Sequence, residues 1–443
     1  MAKGDKLQLT VERMGYSPDG IAHAEDGRAV FVTGAVPGDT VEAVVDSEAK
    51  SYLKAHVTNV LEPSASRVVP ECPYATVCGG CPWAAMSYET QTTAKRDGIV
   101  DALVRIGHFD RERAEKLVRP IESPSAPWGY RNKVELDCVR RGNRLMLGMH
   151  MAGSDDVIKV DKCLLLSKRH VKDVKAVAGA LSYFANSHDL DLERVGIRAA
   201  INTPELEVAL WDRPGGFPRA QAAKIIGDAV KATSVVRVMQ KGPEKARKIA
   251  GVEVLSGKGS WGEKISGEAM RVSAPSFFQV NTKGAEKLVE LVLDGLDPKQ
   301  DEEAMDLYCG AGTFTLPLAR RTDFVSAVES YGPAVRDLRR NIDDAGLDNV
   351  DPIGGDAGLE FPDTDADVIV VDPPRAGLAE DVVTQLSDQP ARAIAYVSCD
   401  PATLARDLAR FEQIGTFEPV SVTPVDLFPQ TFHVENVTIL KRR

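Results

Sequence analysis

Four side chains with chemistry to offer stand at the ends of apolar runs. Glu329 closes FVSAVE, Asp372 closes ADVIVVD, Cys399 follows RAIAYVS, and Glu435 leads into the last run, ENVTILK. Near-continuous apolar runs of this length suit parallel strands buried on both faces. Ligands of such sheets bind beyond the carboxyl ends of the strands. Cys399 is followed by Asp400 and Pro401, a good helix N-cap and a good first helical residue. A thiol placed just before a helix N-terminus is expected to have a lowered pKa and to favour the reactive thiolate. Taken alone, a cysteine ending a buried strand is more often an inert core residue. What favours a nucleophile here is the shared sheet edge with Asp372, which Pro373 and Pro374 hold at the rim.

The segment AMDLYCGAGTFTLPLA places Gly310 and Gly312 between a strand and a helix, where a ligand can approach the main chain. A dinucleotide fingerprint would have a third glycine where this chain has Thr315, so a pyrophosphate cradle is disfavoured. Glu329 ends the next strand, where a carboxylate can accept from both hydroxyls of a ribose. This combination fits S-adenosylmethionine better than NAD. A thiolate beside a methyl donor suggests methylation of uracil at C5. That carbon is a poor nucleophile until a thiolate adds at C6 and creates an enolate. A base must then remove the C5 proton so that the thiolate can leave. DLFPQTFHVENV offers Glu435 and His433, of which Glu435 is the preferred base.

Seven cysteines in a reducing compartment are not expected to form a disulfide framework. Cys72, Cys78 and Cys81 cluster in CPYATVCGGCPW, and with a remote fourth they point to a metal or cluster site. From the residues alone, zinc and an iron–sulfur cluster both remain open. Cys138 and Cys309 read as core or turn residues. Downstream, residues 128–172 hold ten Lys or Arg against five Asp or Glu, on a chain of net charge −11. Such a segment is either a local patch for nucleic acid or an ordinary solvated face.

The elements that must position these residues fall into three groups, as expected for 443 residues. Residues 1–62 read as four or five short strands broken by SPDG, EDG and VPGD, a small OB-like barrel. Its net charge is negative, so any grip on RNA would be by shape or by a local face. Residues 63–265 form a central α+β unit. Within it, about 88–120 is helical and free to pack on the catalytic part, with Ile99, Leu103 and Ile106 spaced for one face. Residues 266–443 alternate strand, turn and helix as a doubly wound α/β domain, closed by an antiparallel pair, PVSVTPVDLF and HVENVTILKR. The longest mild apolar run, Ala176 to Ala185, is too short to span a membrane, and MAKGDKLQLTVERMG has no secretory h-region. A cytoplasmic, monomeric protein without membrane contact is expected.

FFQVN, DLYCGAGTFTLPLA, VDPPRAG, VSCDPATL and DLFPQTFHVE together resemble, in order, the motifs of the S-adenosylmethionine-dependent RNA 5-methyluridine methyltransferases. GIAHAEDGRAVFVTGAVPGDTVEA resembles a TRAM domain, an RNA-binding β-barrel, and YRNKVEL resembles the family's central signature. The resemblance implies a Rossmann-like methyltransferase domain, with Cys399 as nucleophile and Glu435 as base. It implies Gln279, Tyr308, Gly310, Gly312, Glu329, Asp356 and Asp372 around the methyl donor. Thr313 stands where the family often has Asn. It further implies that Cys72, Cys78, Cys81 and Cys163 ligate a [4Fe-4S] cluster, zinc being the alternative.

Two other enzymes are weighed against this one. A radical methylthiotransferase joins a TRAM domain to a cluster, but resembles C-x3-C-x2-C, and here the first gap is five. An amino methyltransferase would use Asp-Pro-Pro without needing Cys399. A third possibility is a non-catalytic RNA-binding protein. A base inside folded RNA must leave its stack to react, so the target is a loop or flipped uridine, with Phe277 and Phe428 as stacking candidates. TRAM plus cluster resembles the 23S ribosomal RNA enzymes, and the T-loop uridine of tRNA is the alternative substrate.

Overall fold

The computed structural model describes residues 2–142, 144–188, 190–243 and 247–443. The first sixty residues alternate buried aliphatic and exposed polar positions and form a six-stranded sheet around its own core. Its order is Lys6–Thr10, Thr40–Glu48, Tyr52–Glu62, Ala29–Thr33, Gly20–His23, Arg13–Met14. All pairs are antiparallel except Ala29–Thr33 with Tyr52–Glu62. LQLTVERM, read as one strand, is divided. The Val11 amide still follows the first pairing, donating to the Asp39 carbonyl at 2.9 Å, and at Glu12 the chain changes partner, its amide donating to the Ile21 carbonyl at 2.8 Å.

The central unit is a second sheet, of seven strands, running from Lys248–Gly257 at one edge to Val157–Lys159 at the other. KVELDCVR and RLMLGMHM pair antiparallel as Lys133–Arg141 and Arg144–His150. Helices Asp173–His188 and Arg219–Ala229 cover one face, burying Val174, Val177, Leu181, Phe184 and Ile226 against Leu136, Val195 and Val208. Much of the basic segment 128–172 is used internally. Arg140 donates to the Leu190 carbonyl at 2.6 Å, Arg141 donates to the Val157 carbonyl at 3.3 Å, and Lys133 pairs with Glu135 at 3.0 Å. Arg144 belongs to the same segment, and its side chain lies outside the described residues.

The third sheet also has seven strands. Its order is Val350–Gly354, Phe324–Glu329, Glu303–Leu307, Val368–Val371, Ala393–Ser398, Glu435–Arg442, Phe417–Val425. Every pair is parallel except the two made by Glu435–Arg442. The direction of winding reverses between Glu303–Leu307 and Val368–Val371, which is where open α/β sheets bind ligands.

Helix Tyr88–Arg105 lies outside this domain in sequence but packs on it. Ile99, Val100 and Leu103 share a core with Leu404, Leu408 and Val422. Ile106 does not join the predicted face. It is the C-cap, is 41% exposed, and Val100 is buried in its stead. The same helix sends Lys95 into the interior, where Nζ donates to Asp426 Oδ1 at 2.6 Å and to the Phe428 carbonyl at 3.0 Å with both ionic side chains fully buried. No helix among the described residues is long and apolar enough to cross a membrane. Removing one member of a buried pair strands the other charge. Lys95→Ala is therefore expected to cost ~3–5 kcal/mol in denaturant unfolding, whereas Lys95→Met combined with Asp426→Leu recovers most of that loss.

Candidate active site

At the topological switch of the third sheet, an open cavity of about 480 Å³ gathers residues from five strand ends. Gln279, Tyr308, Gly310, Thr313, Glu329, Asp356, Asp372, Cys399 and Glu435 all line it. Of the residues singled out in the sequence, Gly312 is not among the lining residues. A Cβ there would approach Leu316 Cδ1 to 2.6 Å and Leu338 Cδ1 to 2.8 Å, so this glycine lets the following helix pack closely. Gly310 has φ +58° and open space where a Cβ would stand, as a close-approach glycine requires. Tyr308 also holds a left-handed backbone, φ +64°, unusual for a bulky residue and typical of strained functional turns.

The glycine turn is tied down from beneath. Thr315, in place of a third glycine, donates its hydroxyl to Asp306 Oδ2 at 2.6 Å inside the strand Glu303–Leu307. Burial pushes the Asp306 carboxyl up to about 7. Glu329 accepts from the Gly310 amide at 2.9 Å and the Tyr331 amide at 2.6 Å, so the strand-end carboxylate and the turn form one unit. Asp356 accepts from the Gly358 amide at 3.0 Å. Gln279 is fixed through its backbone, because Asn132 of the central unit donates to its carbonyl at 2.9 Å. Its Oε1 is buried without a partner.

The reacting end holds Cys399, Glu435 and Asp372. Asp400 caps helix Pro401–Ile414 as expected, accepting from Ala402 at 2.9 Å and Thr403 at 3.2 Å. Ser398 pairs with Asn436 across antiparallel strands, which sets Cys399 and Glu435 beside each other at the sheet end. The expected lowering of the thiol pKa is overturned. Burial first, and then the charges of Glu435, Asp372 and Asp400, push Cys399 up to about 12, against a smaller opposing pull from Arg375. The helix N-terminus is local, whereas Glu435 and Asp372 converge from other strands, and Asp400, the helix's own N-cap, adds to them. Burial likewise raises Glu435 well above the usual carboxylate range and Asp372 to about 7. His433 is instead pushed down to about 4 by burial and by surrounding cations, chiefly Arg375. It stacks on Phe432 at 4.1 Å and does not line the cavity.

Phe277 lines the cavity and is 69% exposed, whereas Phe428 packs behind it against the domain core. Arg375 and Tyr331 also line the cavity and were not singled out in the sequence. Arg375, directly after Asp-Pro-Pro, could have been found from its position. Tyr331 carried no such signal.

A second cavity, of about 270 Å³, is lined by Cys72, Cys78, Cys81 and Cys163. Burial pushes the Cys81 thiol up to about 12, with the other three cysteines adding to the effect. Arg131 is buried in the same wall, and its Nε has no hydrogen-bond partner. Among the described residues, no three His, Cys, Asp or Glu side chains converge closely enough to hold a single ion. Cys138 packs at the edge of the central core, and Cys309 is buried under the glycine turn.

A thiol with a raised pKa ionises more as pH rises, so alkylation of Cys399 by iodoacetamide should accelerate about tenfold per unit without a plateau below pH 10. Glu435→Gln removes a carboxylate that disfavours the thiolate and should shift this profile to lower pH. Peptide mass spectrometry of Cys399 reads both.

Residues 264–443 match the family model "tRNA (Uracil-5-)-methyltransferase", and residues 2–58 match the TRAM domain. An uncharacterized RNA methyltransferase of Thermosynechococcus vestitus is 33% identical over 447 residues, covering 99% of this chain and 98% of that one. Another, from Clostridium tetani, is 32% identical over 453 residues, covering 99% and 96%. Among solved structures, the Pyrococcus abyssi tRNA (uracil-54, C5)-methyltransferase in complex with S-adenosyl-L-homocysteine superposes with a TM-score of 0.75. Its identity is 23% over 98% of this chain and 99% of that one, a likeness of fold. By end-to-end identity to RNA methyltransferases, and by the family match over the sheet that builds the cavity, the chain belongs to the RNA uracil-5-methyltransferase family and carries an N-terminal TRAM domain.

Proposed function

We propose that this enzyme transfers a methyl group from S-adenosylmethionine to C5 of a uridine in 23S ribosomal RNA through a covalent Cys399 adduct. The observation that carries this reading is the meeting of Cys399, Glu435 and Asp372 in the cavity that also holds the Gly310–Glu329 turn. The methyl donor's fit rests on three features: the orphaned Oε1 of Gln279, the open space beside the Gly310 main chain, and an acidic rim suited to a sulfonium. Bound there, S-adenosylmethionine supplies an electrophilic methyl group. Glu329 and Asp356 are assigned to its ribose and adenosine end, with Tyr308 and Thr313 beside them.

In this reading the deprotonated Cys399 bonds through Sγ to C6 of the uracil, and C5 becomes the nucleophile that takes the methyl group. Glu435 in its ionised form removes the C5 proton. The Sγ–C6 bond then breaks as the ring double bond re-forms. His433, held neutral and off the cavity, is left out of the chemistry. Phe277, exposed at the mouth, is the stacking surface for the flipped base. The four cysteines line one cavity, and the family resemblance favours a [4Fe-4S] cluster there, zinc being the alternative. Cys72, Cys78, Cys81 and Cys163 would hold the cluster in a structural role.

The direct test is incubation with S-adenosylmethionine and unmodified ribosomal RNA or, separately, tRNA, followed by nucleoside mass spectrometry. 5-Methyluridine from ribosomal RNA is expected, and product from tRNA alone would keep the chemistry and replace the substrate. Cys399→Ala should abolish product, whereas an amino methyltransferase would keep its activity. Glu435→Gln should accumulate an enzyme–RNA adduct that survives denaturing electrophoresis, because the proton that must leave stays in place. Iron and sulfide analysis of anaerobically purified protein should give the cluster, and stoichiometric zinc would overturn that assignment.

The acidic rim predicts proton release. A sulfonium next to Asp372 favours its carboxylate and lowers a pKa that stands at about 7. Calorimetry at pH 7 in buffers of different ionisation enthalpy should show proton release with S-adenosylmethionine, and less with the neutral thioether S-adenosylhomocysteine.

A further inference from the structure

Tyr16 lies in the barrel, in the turn between Arg13–Met14 and Gly20–His23. It is 383 residues from the nucleophile in sequence, yet its phenol O–H donates to the backbone carbonyl of Cys399 at 3.0 Å. That carbonyl lies just past the last strand pair, Ser398 with Asn436. It also lies just before the first helical acceptor, the carbonyl of Asp400, which the Leu404 amide meets at 3.0 Å. The peptide that aims the Cys399 side chain is thus held by neither ladder, and its acceptor is met from the barrel.

The turn that brings Tyr16 there is itself fixed. The Gly15 amide donates to the Asp19 carbonyl at 3.0 Å, and the Trp83 indole donates to the Ser17 carbonyl at 3.2 Å. The Tyr16 ring stands edge-on to Phe432 at 5.6 Å and 89°. Phe432 lies three residues before Glu435. One barrel turn therefore touches both the peptide of the nucleophile and the loop that delivers the base.

We propose that Tyr16 is a positioning residue of the active site, whose hydroxyl fixes the Cys399–Asp400 peptide and so aims the thiol into the cavity. The TRAM barrel then takes part in the chemical step as well as in RNA attachment. This rests on the reading of Cys399 as nucleophile. A tethering barrel would lose RNA affinity when Tyr16 is changed, whereas a positioning one loses rate at saturating RNA.

Tyr16→Phe keeps the ring against Phe432 and removes only the hydroxyl. Three quantities are compared with the wild type: the single-turnover methylation rate at saturating RNA, RNA affinity by fluorescence anisotropy, and the iodoacetamide rate at Cys399 by peptide mass spectrometry. The loss of one hydrogen bond predicts a methylation rate about 2- to 10-fold lower, an alkylation rate that differs by about 2-fold or more, and unchanged RNA affinity. Weaker RNA binding with an unchanged saturated rate would overturn the proposal, as would unchanged alkylation. Alkylation is read without RNA or methyl donor. If the wild type made no 5-methyluridine, the functional reading would fail while the alkylation comparison still decided on Tyr16.

Discussion

Everything at the reacting end of the cavity depends on the loop that leads into Glu435, and that loop is held by a buried ion pair. Lys95 and Asp426 meet at 2.6 Å with neither side chain exposed. Taking two charges out of water is costly, and the arrangement persists only because each finds further partners or shape around it. The clamp extends from there. Tyr130 donates to the Pro429 carbonyl at 3.0 Å, Trp83 to the Gln430 carbonyl at 3.0 Å, and Asn281 to the Leu427 carbonyl at 3.2 Å. Gln430 keeps a left-handed backbone, φ +72°, under that constraint. The loop leading to Glu435 is thus held in place mainly from the central unit and its helix, with Asn281 of the catalytic domain adding one bond.

The electrostatics of the cavity follow from the same crowding. Cys399, Glu435 and Asp372 are each disfavoured as anions, first by burial and then by nearby carboxyls: Glu435, Asp372 and Asp400 act on Cys399, Asp372 acts on Glu435, and Asp306 and Glu329 act on Asp372. Without ligand the site holds protons that the proposed reaction must move, and a cationic donor is the partner such a site favours. Arg375 is the local counterweight, being the residue that eases the thiol toward ionisation while it also pairs with Asp400 at 3.4 Å.

Residues whose chemistry is written in local patterns were legible in the sequence. The runs ending at Glu329, Asp372 and Cys399 became parallel strands of one sheet, and the Asp400–Pro401 cap sits where its residue types require. The direction of the thiol's pKa was not legible. The helix rule sees only neighbours along the chain, and burial together with Glu435 and Asp372, which arrive from elsewhere in the fold, opposes it. For the same reason Tyr16 and Lys95 carried no signal. Each acts on a backbone atom or a charge that is distant in sequence; Asn132 in YRNKVEL and Trp83 in CPYATVCGGCPW lie inside motifs that mark the segment but not the contact. The division of LQLTVERM and the exposure of Ile106 were lost in a smaller way, because strand and helix ends are decided by single hydrogen bonds.

Cys399 and Glu435 sit together because Ser398 opposes Asn436, and the Asn436 side-chain amide reinforces that match by donating to the Ser398 carbonyl at 3.2 Å. The geometry of the site is therefore stored in a strand register, and side chains in a strand alternate faces with period two. Losing or gaining one residue between Glu435 and Arg442 would leave composition, charge and hydrophobicity almost untouched while turning Glu435 to the opposite face of the sheet. In this strand a change of length does more harm than most changes of letter, so the spacing of its residues is itself part of what builds the cavity.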